Sequence, residues 1–79
     1  MLRHLVERFE REASEFTKRN ITLSHDSFYS GEQRSYYKKL VVDGRETRHH
    51  IDIMELQETV SRGRMADKVR AVAGLILLG

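Results

Sequence analysis

The sequence predicts an α+β fold of order α-β-β-β-α-α, with an N-terminal helix and one bent or two C-terminal helices on one face of a three-stranded antiparallel meander. Three observations carry this. Residues 2–19 repeat apolar side chains at a helical period, Asp43-Gly44 separates two strand-like runs, and Asp52 precedes Glu55 by three residues where a second helical pattern opens.

In the first helix, Leu2, Leu5, Val6, Phe9, Ala13 and Phe16 fall in one stripe about 100° wide, and nearly every charged residue lies outside it. Four i,i+4 pairs of opposite charge (Arg3-Glu7, Glu7-Arg11, Arg11-Glu15, Glu15-Arg19) each add about 0.2–0.5 kcal/mol on the solvated side. Lys18 and Arg19 suit the negative end of the helix dipole, and Asn20 is the expected left-handed stop.

The next three runs, ITLSHDSFY, RSYYKKLVV and RETRHHI, are rich in β-branched and aromatic residues; the polar break SGEQ divides the first two. A two-residue Asp43-Gly44 turn sets Val42 opposite Arg45, Leu40 opposite Thr47, Lys39 opposite Arg48, Lys38 opposite His49 and Tyr36 opposite Ile51. With SGEQ as a four-residue loop, Ile21 faces Val42 and Tyr29 faces Arg34. One face then gathers Ile21, Leu23, Tyr36, Leu40, Val42 and Ile51 for the helices. The other gathers Thr22, Ser24, Asp26, Phe28, Tyr37, Lys39, Val41, Glu46, Arg48 and His50.

Asp52 and Glu55 form the frame of a capping box for a helix beginning at Ile53, with Leu56 and Val60 on its apolar side. Beyond Gly63 the stripe resumes at Met65, Val69, Val72 and Ile76, rotated by roughly 140° if the helix ran straight, so Gly63 ends or bends it. The run Leu75-Ile76-Leu77-Leu78 is apolar all round. It is expected either as a helix end wanting burial on more than one side or as a short strand, and Val72, Leu75, Ile76 and Leu78 are the expected contact of a homodimer.

The 79 residues are expected to form a single domain, residues 1–79. A chain this short buries only about 60% of the surface its unfolded form exposes, which makes help from a second subunit plausible. The absence of cysteine excludes disulfides, thiolate metal sites and a cysteine nucleophile, and it suits a reducing compartment. The opening LRHLVERFERE lacks the apolar core of a secretory signal, and the run at residues 71–79 is far short of the roughly 20 residues a membrane helix needs. A cytoplasmic protein without membrane contact is the expectation.

Candidate chemistry is sparse. His25, Asp26 and Ser27 are the residue types of a hydrolase triad, but in a strand Asp26 points away from the other two. His49 and His50 fail as a chelating pair for the same reason, and His50 with Asp52 supplies too few ligands for a metal. Glu55 and Glu58, one helical turn apart, read as solubilising carboxylates. No phosphate loop or dinucleotide fingerprint occurs; neither a catalytic residue nor a metal or cofactor is expected, and the chain reads as a non-enzyme.

Fourteen basic residues against twelve acidic ones leave a balance of +2, too small by itself to imply nucleic acid. The excess is local: residues 34–50 hold Arg34, Lys38, Lys39, Arg45 and Arg48 against Asp43 and Glu46. Tyr37, Lys39, Arg48 and His50 are therefore the candidate partner-binding residues, offering a stacking ring, two fixed positive charges and a titratable imidazole. Lys39 opposite Arg48 is a like-charge pair that costs stability unless an anion, or Asp26 and Glu46, neutralises it. The expected function is that of a small interaction or regulatory module that binds a protein partner. The alternative is nucleic-acid binding through the same basic, tyrosine-bearing face. Small helix-meander-helix proteins occur among phage and plasmid regulators, inhibitors and adaptors; the chain shares their size and layout, without a motif.

Overall fold

The computed structural model describes residues 2–32 and 34–78; Gln33 of the SGEQ segment and the two terminal residues lie outside the described residues. Helix α1 (Leu2–Thr17) buries Phe9, Ala13 and Thr17, with Leu2, Leu5 and Val6 half-buried against the same core. Its end comes earlier than the sequence suggests. The Thr17 hydroxyl donates to the Ala13 carbonyl at 2.7 Å, the Lys18 N–H donates to Ser14 at 2.9 Å, and Lys18, not Asn20, takes the left-handed conformation with φ 59°. Of the expected helix ion pairs, Arg3 and Glu7 meet at 3.5 Å; Arg8 with Glu12, at 2.7 Å, forms as well, and Arg19 turns instead to Asp43 at 3.2 Å. Phe16 departs from its stripe, 53% exposed at a crevice beside Ala66 and Val69.

The strands β1 (Ile21–Ser30), β2 (Ser35–Val42) and β3 (Arg45–Asp52) form an antiparallel meander in the order β1-β2-β3. Asp43 and Gly44 have φ values of 51° and 80°, the pair of positive angles that a type I′ turn requires. The registers beside that turn are as expected, with Val42 opposite Arg45 and Ile21 opposite Val42. Farther along, both registers slip by two residues. Ser24-His25-Asp26 bulge out of β1 opposite Lys39, and Thr47-Arg48-His49 bulge out of β3 opposite Leu40. Lys39 therefore faces His50 instead of Arg48, Lys38 faces Ile51 instead of His49, and Tyr29 faces Tyr36 instead of Arg34.

Each bulge takes a main-chain partner from β2, and in each a side-chain hydroxyl replaces it. The Lys39 N–H donates to Ser24 Oγ at 2.9 Å, and Thr47 Oγ1 donates to the Leu40 carbonyl at 2.8 Å. Lys38 Nζ adds a bond of 2.8 Å to the Ser24 carbonyl, which ties β2 to the displaced loop of β1. Because each outer strand gains two residues, an even number, the alternation of faces survives.

The Asp52 carboxylate accepts from the N–H groups of Met54 and Glu55 at 3.0 and 3.2 Å and so caps α2 (Ile53–Ser61). Gly63, at φ 72°, stops that helix before α3 (Met65–Leu78), which settles residues 75–78 as helix. The core joins Phe9 of α1, Ile21, Leu23, Leu40 and Ile51 of the sheet, Ile53 and Leu56 of α2, and Met65, Val69 and Val72 of α3. All three helices thus lie on the same side of the sheet.

Two outcomes follow from this packing. Leu40 has no exposed surface, so Leu40→Asp should cost more than roughly 4 kcal/mol and unfold the domain in denaturant titration, whereas Lys39→Asp on the opposite face should stay within about 1 kcal/mol. Thr47→Val keeps the shape but leaves the Leu40 carbonyl without its partner, and the same titration should register a loss of about 1–3 kcal/mol.

Candidate functional site

The face turned away from the helices carries a cluster that no element of the chain covers. Phe28 of β1 and Tyr37 of β2 are direct cross-strand partners, and their rings stack with centroids 5.3 Å apart at 22°. His50 of β3 meets the same phenylalanine edge-on, at 5.4 Å and 89°. Phe28 remains 49% exposed even so. Below the rings, Ser24, Asp26, Phe28, Lys39, Glu46 and His50 border a crevice of about 300 Å³.

The geometry unites three of the four candidate contact residues. Tyr37 and His50 join through Phe28, and Lys39 is the cross-strand partner of His50. Arg48 does not belong to this cluster. The β3 bulge carries it to a different crevice, where it stands with Thr47, His49, Leu75 and Ile76. The Lys39-Arg48 repulsion is accordingly absent, and Lys39 Nζ lies 3.9 Å from Glu46 Oε1. Asp26 and Glu46 set two carboxylates against one ammonium around the crevice, so the crevice is not basic. Phe28, assigned to this face by its alternation but not counted as a contact residue, is the ring at its centre; a half-exposed aromatic paired with a second aromatic is the signal that marks it.

At the other candidate surface, Val72 is 2% exposed and is part of the core, and Ile76 is half-buried against it. Leu75, Leu77 and Leu78 are 48%, 57% and 91% exposed. The four residues expected at an interface thus divide between core and surface.

No catalytic constellation assembles from His25, Asp26 and Ser27. His25 lines a crevice against α1 with Leu2, Tyr36 and Lys38, while Asp26 and Ser27 border the open face. Glu55 is held by Lys68 at 2.6 Å. Among the described residues no group of three or more His, Asp or Glu is placed to hold a metal, and no helix is long and apolar enough to cross a membrane. Compared with models of known protein families, with curated proteins and with solved structures, the chain shows no match.

Phe28 makes its two aromatic contacts from a half-exposed position, so Phe28→Ala should cost about 1–2 kcal/mol and leave a folded domain. Thermal denaturation followed by circular dichroism checks this, and loss of the cooperative transition would place the ring in the core instead.

Proposed function

We propose that the chain is a small protein-binding module, regulatory and non-enzymatic, whose uncovered sheet face docks on a partner protein through Phe28, Tyr37 and His50, with Lys39 alongside. The observation that supports this reading is the exposed aromatic cluster beside a crevice of mixed charge. Aromatic anchors held rigid by their neighbours are the residues on which protein contacts concentrate their free energy. A phosphate-led contact needs unpaired positive charge, yet Arg48 stands on another surface and Lys39 lies beside Glu46.

The amount of exposed surface agrees with this reading. The chain exposes 5731 Å², against roughly 5,000 Å² for a typical folded monomer of its 9.3 kDa mass. Half-exposed Phe28 is one of the large apolar side chains that stay uncovered.

The test compares the wild-type chain with a Phe28→Ala/Tyr37→Ala variant as bait in nuclease-treated lysate of the host. One stoichiometric protein should be retained by the wild type and lost from the variant, with an affinity that changes little with salt. Equal retention by both baits would remove the sheet face from the contact. Dependence of the captured material on nucleic acid, with affinity falling log-linearly in salt, would replace the reading with nucleic-acid binding.

A further inference from the structure

We propose that the β3 bulge and the last turns of α3 form a second docking surface, one that takes an acidic amphipathic segment of a partner protein. Arg48 and His49, displaced by the bulge, flank Leu75 and Ile76 across a crevice of about 460 Å³, with Val42 and Arg19 completing its border. Two features distant in the sequence, the basic stretch and the C-terminal leucines, thereby become one surface. It shares no residue with the aromatic cluster on the open face.

Charge and apolarity together specify the occupant. Among the described residues, Arg19, Arg48 and His49 border the crevice and no carboxylate side chain does. Arg19 is engaged by Asp43 at 3.2 Å, whereas Arg48 has no carboxylate at ion-pairing distance among the described residues. Leu75, at 48% exposure, continues into the more exposed Leu77 and Leu78, and residues 71–78 carry no charged side chain of their own. A ligand that covers the leucines and satisfies Arg48 needs aliphatic or aromatic groups on one side and carboxylates beside them. An amphipathic acidic segment lying along the helix end has that pattern.

A second copy of the chain fits this surface poorly. A two-fold contact sets a patch against itself, and among the described residues this patch offers no carboxylate side chain of its own to receive Arg48.

The test is selection of a random twelve-residue peptide library on the full-length chain, followed by fluorescence anisotropy with the enriched peptides. Enriched peptides should interleave Asp or Glu with apolar residues. Their affinity should fall roughly tenfold or more in Arg48→Glu and in Leu75→Asp, and stay unchanged in Phe28→Ala. Arg48 is exposed and outside the core, so Arg48→Glu decides the matter by itself should Leu75→Asp fail to fold. Peptides without an acidic bias would overturn the proposal. So would peptides lost with Phe28→Ala but kept with Arg48→Glu, a result that would leave the sheet-face reading standing. Sedimentation of the protein alone showing a dimer that Leu75→Asp dissociates would assign the surface to a second copy. Binding to anionic phospholipid vesicles that is lost in Arg48→Glu, with no peptide enriched, would assign it to a membrane.

Discussion

Two hydroxyl groups hold the sheet together at the point where its main-chain ladder is interrupted. Opposite Lys39 and Leu40, the central strand faces bulges on both sides, and a polar main-chain group left there without a partner would cost about 1–3 kcal/mol. Ser24 accepts from the Lys39 N–H and Thr47 donates to the Leu40 carbonyl, so β2 stays bonded on both flanks while each outer strand gains two residues. The even number decides the outcome. A one-residue bulge would have turned the far half of each strand over and sent Ile51 into solvent, whereas two residues return it to the core at 3% exposure. The same displacement moves Arg48 out of line with Lys39, and it is this change that separates a mixed-charge aromatic face from a basic aliphatic crevice.

The shared apolar core holds all three helices on one side of this sheet, and side-chain bonds fix α1 against the edge of β1. Ser14 accepts from the Ile21 N–H at 2.9 Å and donates to the Ile21 carbonyl at 3.2 Å, while Glu10 accepts from the Leu23 N–H at 2.7 Å. These bonds seal the first part of the β1 edge, which would otherwise invite pairing with another strand. Asp43 fastens the start of the same strand. Its carboxylate accepts from the Asn20 N–H at 3.0 Å and from Arg19 at 3.2 Å, which ties the β2-β3 turn to the junction of α1 and β1. One residue thus shapes the turn and secures it against the first helix.

Features encoded by neighbouring residues were legible in the sequence. The Asp43-Gly44 turn, the Asp52 cap and the stop at Gly63 each depend on the local conformational preference of one or two residues, and with them came the order of elements and the two sheet faces. The bulges were not legible, because serine and threonine are ordinary strand residues and nothing local says that their hydroxyls will replace ladder bonds. Regular alternation sets Arg48 opposite Lys39, and the bulge alone moves it away. Phe16 is a different case, since its stripe position says where it points but not how far α3 extends to cover it. The early stop at Lys18 follows from Thr17 bonding back to Ala13, a bond whose geometry the residue types do not announce.

The division of chemistry between the surfaces follows from which strand carries which bulge. In β1 the displaced residues lie beside Phe28, and Asp26 is brought to the crevice where Lys39 already meets Glu46; the aromatic rings therefore stand over a site of nearly balanced charge. In β3 the displaced residues are Arg48 and His49, and they stand beside the uncharged end of α3, with Arg19 and Val42 at the same crevice. A regular meander would have stacked Lys39 and Arg48 on one face and left the leucines of α3 without Arg48 beside them. The bulges exchange that single basic face for two surfaces of different chemistry, one of aromatic rings and one of positive charge beside aliphatic area. A chain with a core this small gains two chemically distinct surfaces without lengthening a loop, because the residues that make them distinct are the ones the strands do not pair.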